Sequence, residues 1–219
     1  MSKVELPVGD RTVGAYVARP EQGEGPGVLV LHAWWGLTPV FTEVCDRLAR
    51  EGFVALAPDL YNGKTIASVE QAEQLVQAMD GETTYATVNA AMEQLRAYPA
   101  VRGDRIGIIG FSMGAAWALM MEGPIAAIVV FYGTTDPQYV GAVAAFQGHF
   151  AEDDPYKPAE SVRHLEENLR AAGRDVAFYT YPGTHHWFCE PNRPQYDPQA
   201  AELAWQRTLD FLRAHLQNR

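Results

Sequence analysis

Gly110-Phe111-Ser112-Met113-Gly114 sets a hydroxyl between two glycines, after the apolar run "RIGIIGF" and at the start of the small-residue stretch "MGAAWALMM". This is the pattern of a nucleophile elbow, where a serine occupies a strained turn at the carboxyl end of a strand and its Oγ stands above a sheet. Side chains at the glycine positions would collide with the crossing strand and helix. The helix that begins here points backbone N–H groups toward negative charge developing at the serine. The same residues also fit a plain strand-to-helix turn. Chemistry requires a base and an acid elsewhere in the chain.

A serine hydroxyl is a weak nucleophile until a base takes its proton. In folds with this elbow, the acid and then the histidine follow the serine in chain order. Downstream of Ser112 lie His149, His164, His185, His186 and His215. His164 and His215 fall within amphipathic helical patterns, and His149 ends a strand pattern, so packing roles suit them. "YPGTHHWF" instead follows the last strand pattern, at the carboxyl edge of the sheet where such folds place their chemistry. His185 and His186 are equivalent at this level. The pair has no third ligand cluster for a metal, and neither metal nor cofactor is expected. An acid to orient the imidazole is offered by Asp153, Asp154 and Glu152 in "GHFAEDDPYKP", with Asp136 in "YGTTDP" as a second choice.

The elements that must position these groups read as strands alternating with helices. "TVGAYVARP" alternates like an exposed strand, while "GPGVLVLHA" and "FVALAPDLY" are buried strands, since consecutive aliphatics need cover on both faces. Between those two lies the helix "TPVFTEVCDRLAREG", and two more helices are expected around residues 68 to 80 and 84 to 97. After the elbow come strands "IAAIVVFYG" and "AVAAFQGHF", the helix "PAESVRHLEENLRAAG", the strand "VAFYTYPG" and a closing helix from about Pro198. Trp205, Leu209, Leu212 and Leu216 form one apolar stripe on that helix. The expected fold is α/β, a mostly parallel central sheet with helices on both faces. Residues 1–219 read as a single domain, and the short connections leave no room for a large cap domain.

Net charge of −10 and the absence of a basic cluster argue against nucleic-acid or anionic-membrane partners. No apolar run is long enough to span a bilayer, and the amino terminus lacks a secretory pattern. Cys45 and Cys189 stand far apart and form no metal-type pair. A cytoplasmic protein is expected, a monomer or homodimer whose partner is a small molecule.

The segments "VLVLHAWWGL", "FVALAPDLY", "DRIGIIGFSMGA", "GHFAEDDPYKP" and "GTHHWFCEPNRPQYDPQAAELAWQRTLDFL" together resemble the dienelactone hydrolase family of the α/β-hydrolase superfamily, over nearly the whole chain. The resemblance implies an α/β-hydrolase fold. It assigns the acid to Asp154, four residues before Pro158, and the base to His186, two before Phe188. It also implies oxyanion donors at the backbone N–H groups of Met113 and Trp34. Three positions depart from the family pattern. Ser112 stands where the namesake enzymes carry a cysteine, and Ala33 where they carry a glutamate that primes it. Those two changes agree, because a Ser-His-Asp triad activates serine without that glutamate. Glu190 replaces an arginine that holds the substrate's carboxylate; Lys64 and Arg193 are the cations left nearby in sequence. A carboxylate facing a carboxylate is unfavourable, which argues against dienelactone itself as substrate.

The expected activity is therefore a serine esterase or lactonase, with an acyl-enzyme on Ser112 and a Ser112–Asp154–His186 triad. Trp34, Trp35, Tyr61 and Trp187 would line an aromatic substrate mouth, with Glu190 also at the substrate, although ordinary core packing explains these aromatics equally well. The alternatives are a thioesterase or peptidase using the same groups, or a non-catalytic protein of this fold that binds a small ligand.

Overall fold

The computed structural model describes residues 2–217. Eight strands form a mostly parallel sheet in the order β1-β2-β4-β3-β5-β6-β7-β8. The chain divides into two compact units, one ending at Ile106 and the other starting at Gly107. Among the described residues, no helix is long and apolar enough to cross a membrane.

The first unit holds β1 (Ser2–Val8), β2 (Arg11–Ala18), β3 (Gly25–Leu31), α1 (Pro39–Arg50), β4 (Val54–Pro58), α2 (Val69–Gln77) and α3 (Gly81–Arg96), with the first part of β5 (Val101–Phe111). Sequence patterning misses β1. In "SKVELPV" only Leu6 and Val8 are buried, and the strand pairs on one side alone, as an edge strand does. Its partner β2 is antiparallel, joined through a tight turn in which Gly9 has φ of +58°. β2 is also antiparallel to β4, and β4 runs parallel to β3. Both β3 and β4 are almost wholly buried, as their uninterrupted aliphatic runs require. Helix starts are chemically marked. Asp80 accepts from the Thr83 N–H at 2.7 Å to cap α3, and Pro39 opens α1 with its φ already helical.

The second unit holds the carboxyl half of β5, α4 (Met113–Met120), β6 (Ile125–Phe131), β7 (Ala145–Asp153), α5 (Ala159–Ala171), β8 (Val176–His185) and α6 (Pro198–Leu216). β6, β7 and β8 are successive parallel neighbours. Every residue of β6 is buried, and α6 packs on β6 and β7 through Trp205, Leu209 and Leu212, with Leu216 half-buried at its end. Burying each such side chain contributes about 1.5–3 kcal/mol. Asp197 caps α6 by accepting from the N–H groups of Gln199 and Ala200.

Three strands run further than the sequence suggests, and β5 does so at its start, beginning at Val101 rather than with "RIGIIGF". "AVAAFQGHF" becomes a strand that starts later and continues through Asp153, and β8 extends past its expected end to His185. An irregularity between Ala151 and Asp153 re-aims the end of β7, so that Asp153 pairs with His185 across the two strands. The acidic and histidine segments thus leave the sheet side by side.

Candidate active site

Ser112 has φ of +50° and ψ of −108°, a conformation rarely adopted by non-glycine residues. Its neighbours explain how the turn is tolerated. A Cβ on Gly110 would lie 2.5 Å from the Gly114 carbonyl oxygen and 2.6 Å from the Ala115 Cα. A Cβ on Gly133 would meet the Ala115 Cβ at 2.4 Å and the Ser112 carbonyl oxygen at 2.5 Å. The turn is tied to the sheet by the Ser112 N–H, which donates to the Phe131 carbonyl at 2.9 Å. Gly110 is visible in the elbow motif. Gly133 is not, because its constraint comes from Ser112 and Ala115, about twenty residues earlier in the chain.

From Ser112 a hydrogen-bonded chain runs to β7. The Ser112 Oγ is 2.9 Å from His186 Nε2, and His186 Nδ1 is 2.7 Å from Asp154 Oδ2. A carboxylate only accepts, so Nδ1 carries the proton and Nε2 is left to accept from the serine hydroxyl. Asp154 is the first residue after β7. Its other oxygen, Oδ1, accepts from the backbone N–H groups of Tyr156 and Lys157 at 2.9 and 3.0 Å. The side chains of His186 and Asp154 are only 2% and 3% exposed, so the pair acts in a medium where its attraction is weakly screened.

Three aromatic rings enclose the imidazole. Tyr132, Tyr156 and Trp187 lie with ring centroids 4.9, 4.9 and 5.0 Å from that of His186. Burial disfavours the charged imidazolium and holds His186 below the usual histidine range, partly opposed by the bond to Asp154. The imidazole of His186 is therefore held toward its neutral form. Beside it opens a cleft of about 490 Å³ that includes His186, Tyr156 and Trp187 in its walls.

The other candidates fall elsewhere. His185 pairs with Asp153 at 3.2 Å, but both side chains face solvent. His149 is fully buried in a separate network, with Nδ1 2.7 Å from the Tyr181 hydroxyl and Nε2 near Gln147 and Thr208; burial pushes it down to about 3. Asp136 caps a single 3₁₀ turn by accepting from the Gln138 N–H. His164 is exposed on α5 and His215 lies on α6. Met113 opens α4 immediately after the serine. Trp34 and Trp35 follow β3 in the first unit, their rings 5.5 Å apart and nearly perpendicular; Trp35 is buried and Trp34 half-buried. Tyr61, just beyond β4, is buried edge-on against His32. No group of three histidine, cysteine or carboxylate side chains among the described residues could hold a metal ion.

Glu190 is 1% exposed. Its Oε1 accepts from the Tyr132 hydroxyl at 3.0 Å, and Arg193 Nε stands 4.0 Å from its Oε2. Burial pushes this carboxyl up to about 8, against the bond from Tyr132 and the charge of Arg193. Tyr132 carried no signal in the sequence. It is one aromatic residue after an apolar strand, and only the fold brings it to His186.

The dienelactone hydrolase family model matches residues 13–216. Among relatives, the protein usf of Aquifex pyrophilus is 33% identical, covering 93% of this chain and 94% of its own. A Bradyrhizobium protein named for 2-oxo-3-(5-oxofuran-2-ylidene)propanoate lactonase activity is 32% identical, covering 92% and 89%. A crystal structure titled as a dienelactone hydrolase of Klebsiella pneumoniae superposes with a TM-score of 0.86 over 96% of this chain and 97% of that one; at 23% identity it speaks for the fold alone. A family match across nearly the whole length, on the α/β-hydrolase fold, makes this chain a member of the dienelactone hydrolase family.

Proposed function

We propose that this protein hydrolyses small carboxylic esters or lactones through an acyl-enzyme on Ser112. The observation that carries the reading is the continuous buried chain from Ser112 Oγ through His186 to Asp154. In the first half-reaction Oγ attacks the carbonyl carbon while His186 Nε2 takes the hydroxyl proton, and the carbonyl electrons move onto oxygen. The backbone N–H of Met113 is a donor for that oxyanion, since Met113 lies in the first turn of α4, where the helix dipole adds to its N–H. The tetrahedral adduct collapses, the bond to the leaving oxygen breaks, and Nε2 returns its proton to that oxygen. Water repeats the sequence on the acyl-enzyme and restores Ser112.

Asp154 keeps Nδ1 protonated and offsets the imidazolium charge. The serine reading agrees with Ala33 replacing the priming glutamate, since a base already stands at hydrogen-bond distance from the hydroxyl. One domain is part of this reading, because the boundary between the two units falls inside the unbroken strand β5. Trp187, in the wall of the cleft beside His186, supplies an apolar side of substrate binding; with no large cap among the described residues, short acyl groups are favoured over lipid chains.

The deciding experiment compares wild type with Ser112→Ala on short p-nitrophenyl esters and simple lactones, alongside fluorophosphonate labelling. The expected result is turnover and labelling in wild type and the loss of both in the variant. Wild-type turnover surviving in Ser112→Ala would remove the nucleophile, and an unlabelled, inactive wild type would favour a ligand-binding role.

A further inference from the structure

We propose that Tyr132 and Glu190 form a positioning pair that sets the His186 imidazole against Ser112, with Glu190 turned inward to hold Tyr132 and making no contact with substrate. This rests on the reading of His186 as the base for Ser112. The geometry starts from the placement of Tyr132. Its ring is edge-on to His186 at 4.9 Å and to Phe188 at 5.7 Å, and its backbone sits at φ of +38°, strained for a side chain of this size. Two backbone bonds hold that strain in place. The Tyr132 N–H donates to the His149 carbonyl at 2.8 Å, and the preceding carbonyl, of Phe131, receives the Ser112 N–H at 2.9 Å. Tyr132 is thus one peptide from the anchor of the nucleophile and in ring contact with the base.

The fully buried Tyr132 hydroxyl has Glu190 as its acceptor. A buried hydroxyl or carboxyl left without a partner is costly, so each side chain fixes the other. Glu190 is in turn fixed by its own loop. Its N–H donates to the Trp187 carbonyl at 2.8 Å, and its carbonyl accepts from the Arg193 N–H at 3.0 Å. The carboxyl therefore lies behind the aromatic wall of the base. Only 1% of Glu190 is exposed, and its Oε1 is taken up by the Tyr132 hydroxyl.

The pair also has a titration that a purely apolar brace would lack. The charged or titratable groups that act on Glu190 are Tyr132 and Arg193, and those that act on or touch Tyr132 in turn are Glu190, Cys189, Asp154 and His186. Below about pH 8 the carboxyl is neutral, and above it the carboxylate places negative charge behind the imidazole. That charge favours the imidazolium formed as Ser112 attacks, so kcat takes a second upward step on the alkaline side.

The test measures kcat and KM on p-nitrophenyl acetate from pH 6 to 9.5 for wild type, Tyr132→Phe, Glu190→Leu and Glu190→Gln, with thermal midpoints to confirm folding. Tyr132→Phe and Glu190→Leu are expected to lower kcat about tenfold with KM within about twofold. Glu190→Gln, which still accepts from the Tyr132 hydroxyl, restores most of that loss at pH 7 but lacks the second step. Folded Tyr132→Phe and Glu190→Leu proteins with wild-type kcat, or losses confined to KM, would overturn the pairing. If Glu190→Leu does not fold, Tyr132→Phe and Glu190→Gln carry the test. Fluorophosphonate labelling of Ser112 in wild type separates the two readings: its absence removes the base itself, whereas labelling with unchanged variant rates removes only the brace.

Discussion

Two histidine–aspartate pairs stand one residue apart in the second unit, and their fates differ. His185 and Asp153 meet at 3.2 Å with side chains 54% and 77% exposed; His186 and Asp154 meet at 2.7 Å with side chains 2% and 3% exposed. The residue types are identical, and both pairs link the carboxyl ends of β7 and β8. In the inner pair Nε2 reaches a hydroxyl and the carboxylate accepts two backbone N–H groups, so every polar atom of the chain is fixed. The outer pair is hydrated and screened, and surface pairs of that kind carry little energy. Burial and a third partner, more than residue type, separate the proposed catalytic dyad from an ordinary surface contact.

The most forceful way to break this contrast is to remove each histidine. His186→Ala is expected to lower kcat/KM on short p-nitrophenyl esters by about 10⁴-fold or more, because the hydroxyl loses its proton acceptor. His185→Ala is expected to stay within about threefold. A comparable loss at His185 would mean that the outer pair serves the reaction as well. Exchanging the acids is the next test. Asp154→Asn leaves the shape intact but no longer enforces the Nδ1-protonated tautomer, which costs about 10³- to 10⁴-fold in kcat. Asp153→Asn should cost almost nothing, since its exposed side chain pairs with the equally solvent-facing His185.

A pH profile sharpens the same point at smaller amplitude. Burial lowers His186, so the base remains competent below the usual histidine value, and the acid limb of kcat/KM is expected to fall below pH 6.5. On that limb the rate drops about tenfold per pH unit as Nε2 becomes protonated. A limb centred above pH 6.5 would show that attraction to Asp154 outweighs desolvation.

How legible this arrangement is from sequence varies by residue. Ser112 is legible because strain at an elbow demands local glycine, and glycine spacing is written in the chain. The alternating elements are equally plain wherever aliphatic runs are uninterrupted, as in β3, β4 and β6. The choice between the two pairs is another matter: "EDD" and "HH" carry no periodic signal, and family spacing selected Asp154 and His186. Residue patterns also end β7 and β8 too early, because polar strand ends resemble loops. Gly133, Tyr132 and the inward turn of Glu190 are invisible, since each depends on a partner from another strand or loop. β1 is missed for the opposite reason: as an edge strand it buries too little to leave an apolar pattern.

The smallest effects expected are in stability, and they set a buried carboxyl against an exposed one. The folded protein holds Glu190 at about 8, against an ordinary value near 4.5, so between those limits the unfolded chain releases a proton that the folded chain keeps. The sign follows directly. The contribution is fully present below about pH 4.5 and is lost as pH rises toward 8. Glu190→Gln has no such proton to lose, so its stability relative to wild type should improve steadily from pH 5 to pH 8, by an amount on the order of a few kcal/mol. Asp153→Asn, in contrast, should shift stability by under about 1 kcal/mol, the scale of an exposed ion pair. Urea denaturation of both variants and wild type at pH 5, 6.5 and 8 checks the contrast. A flat difference for Glu190→Gln would mean that the Tyr132 hydroxyl and Arg193 stabilise the carboxylate enough to cancel its burial, and the inner site would then be charged at neutral pH.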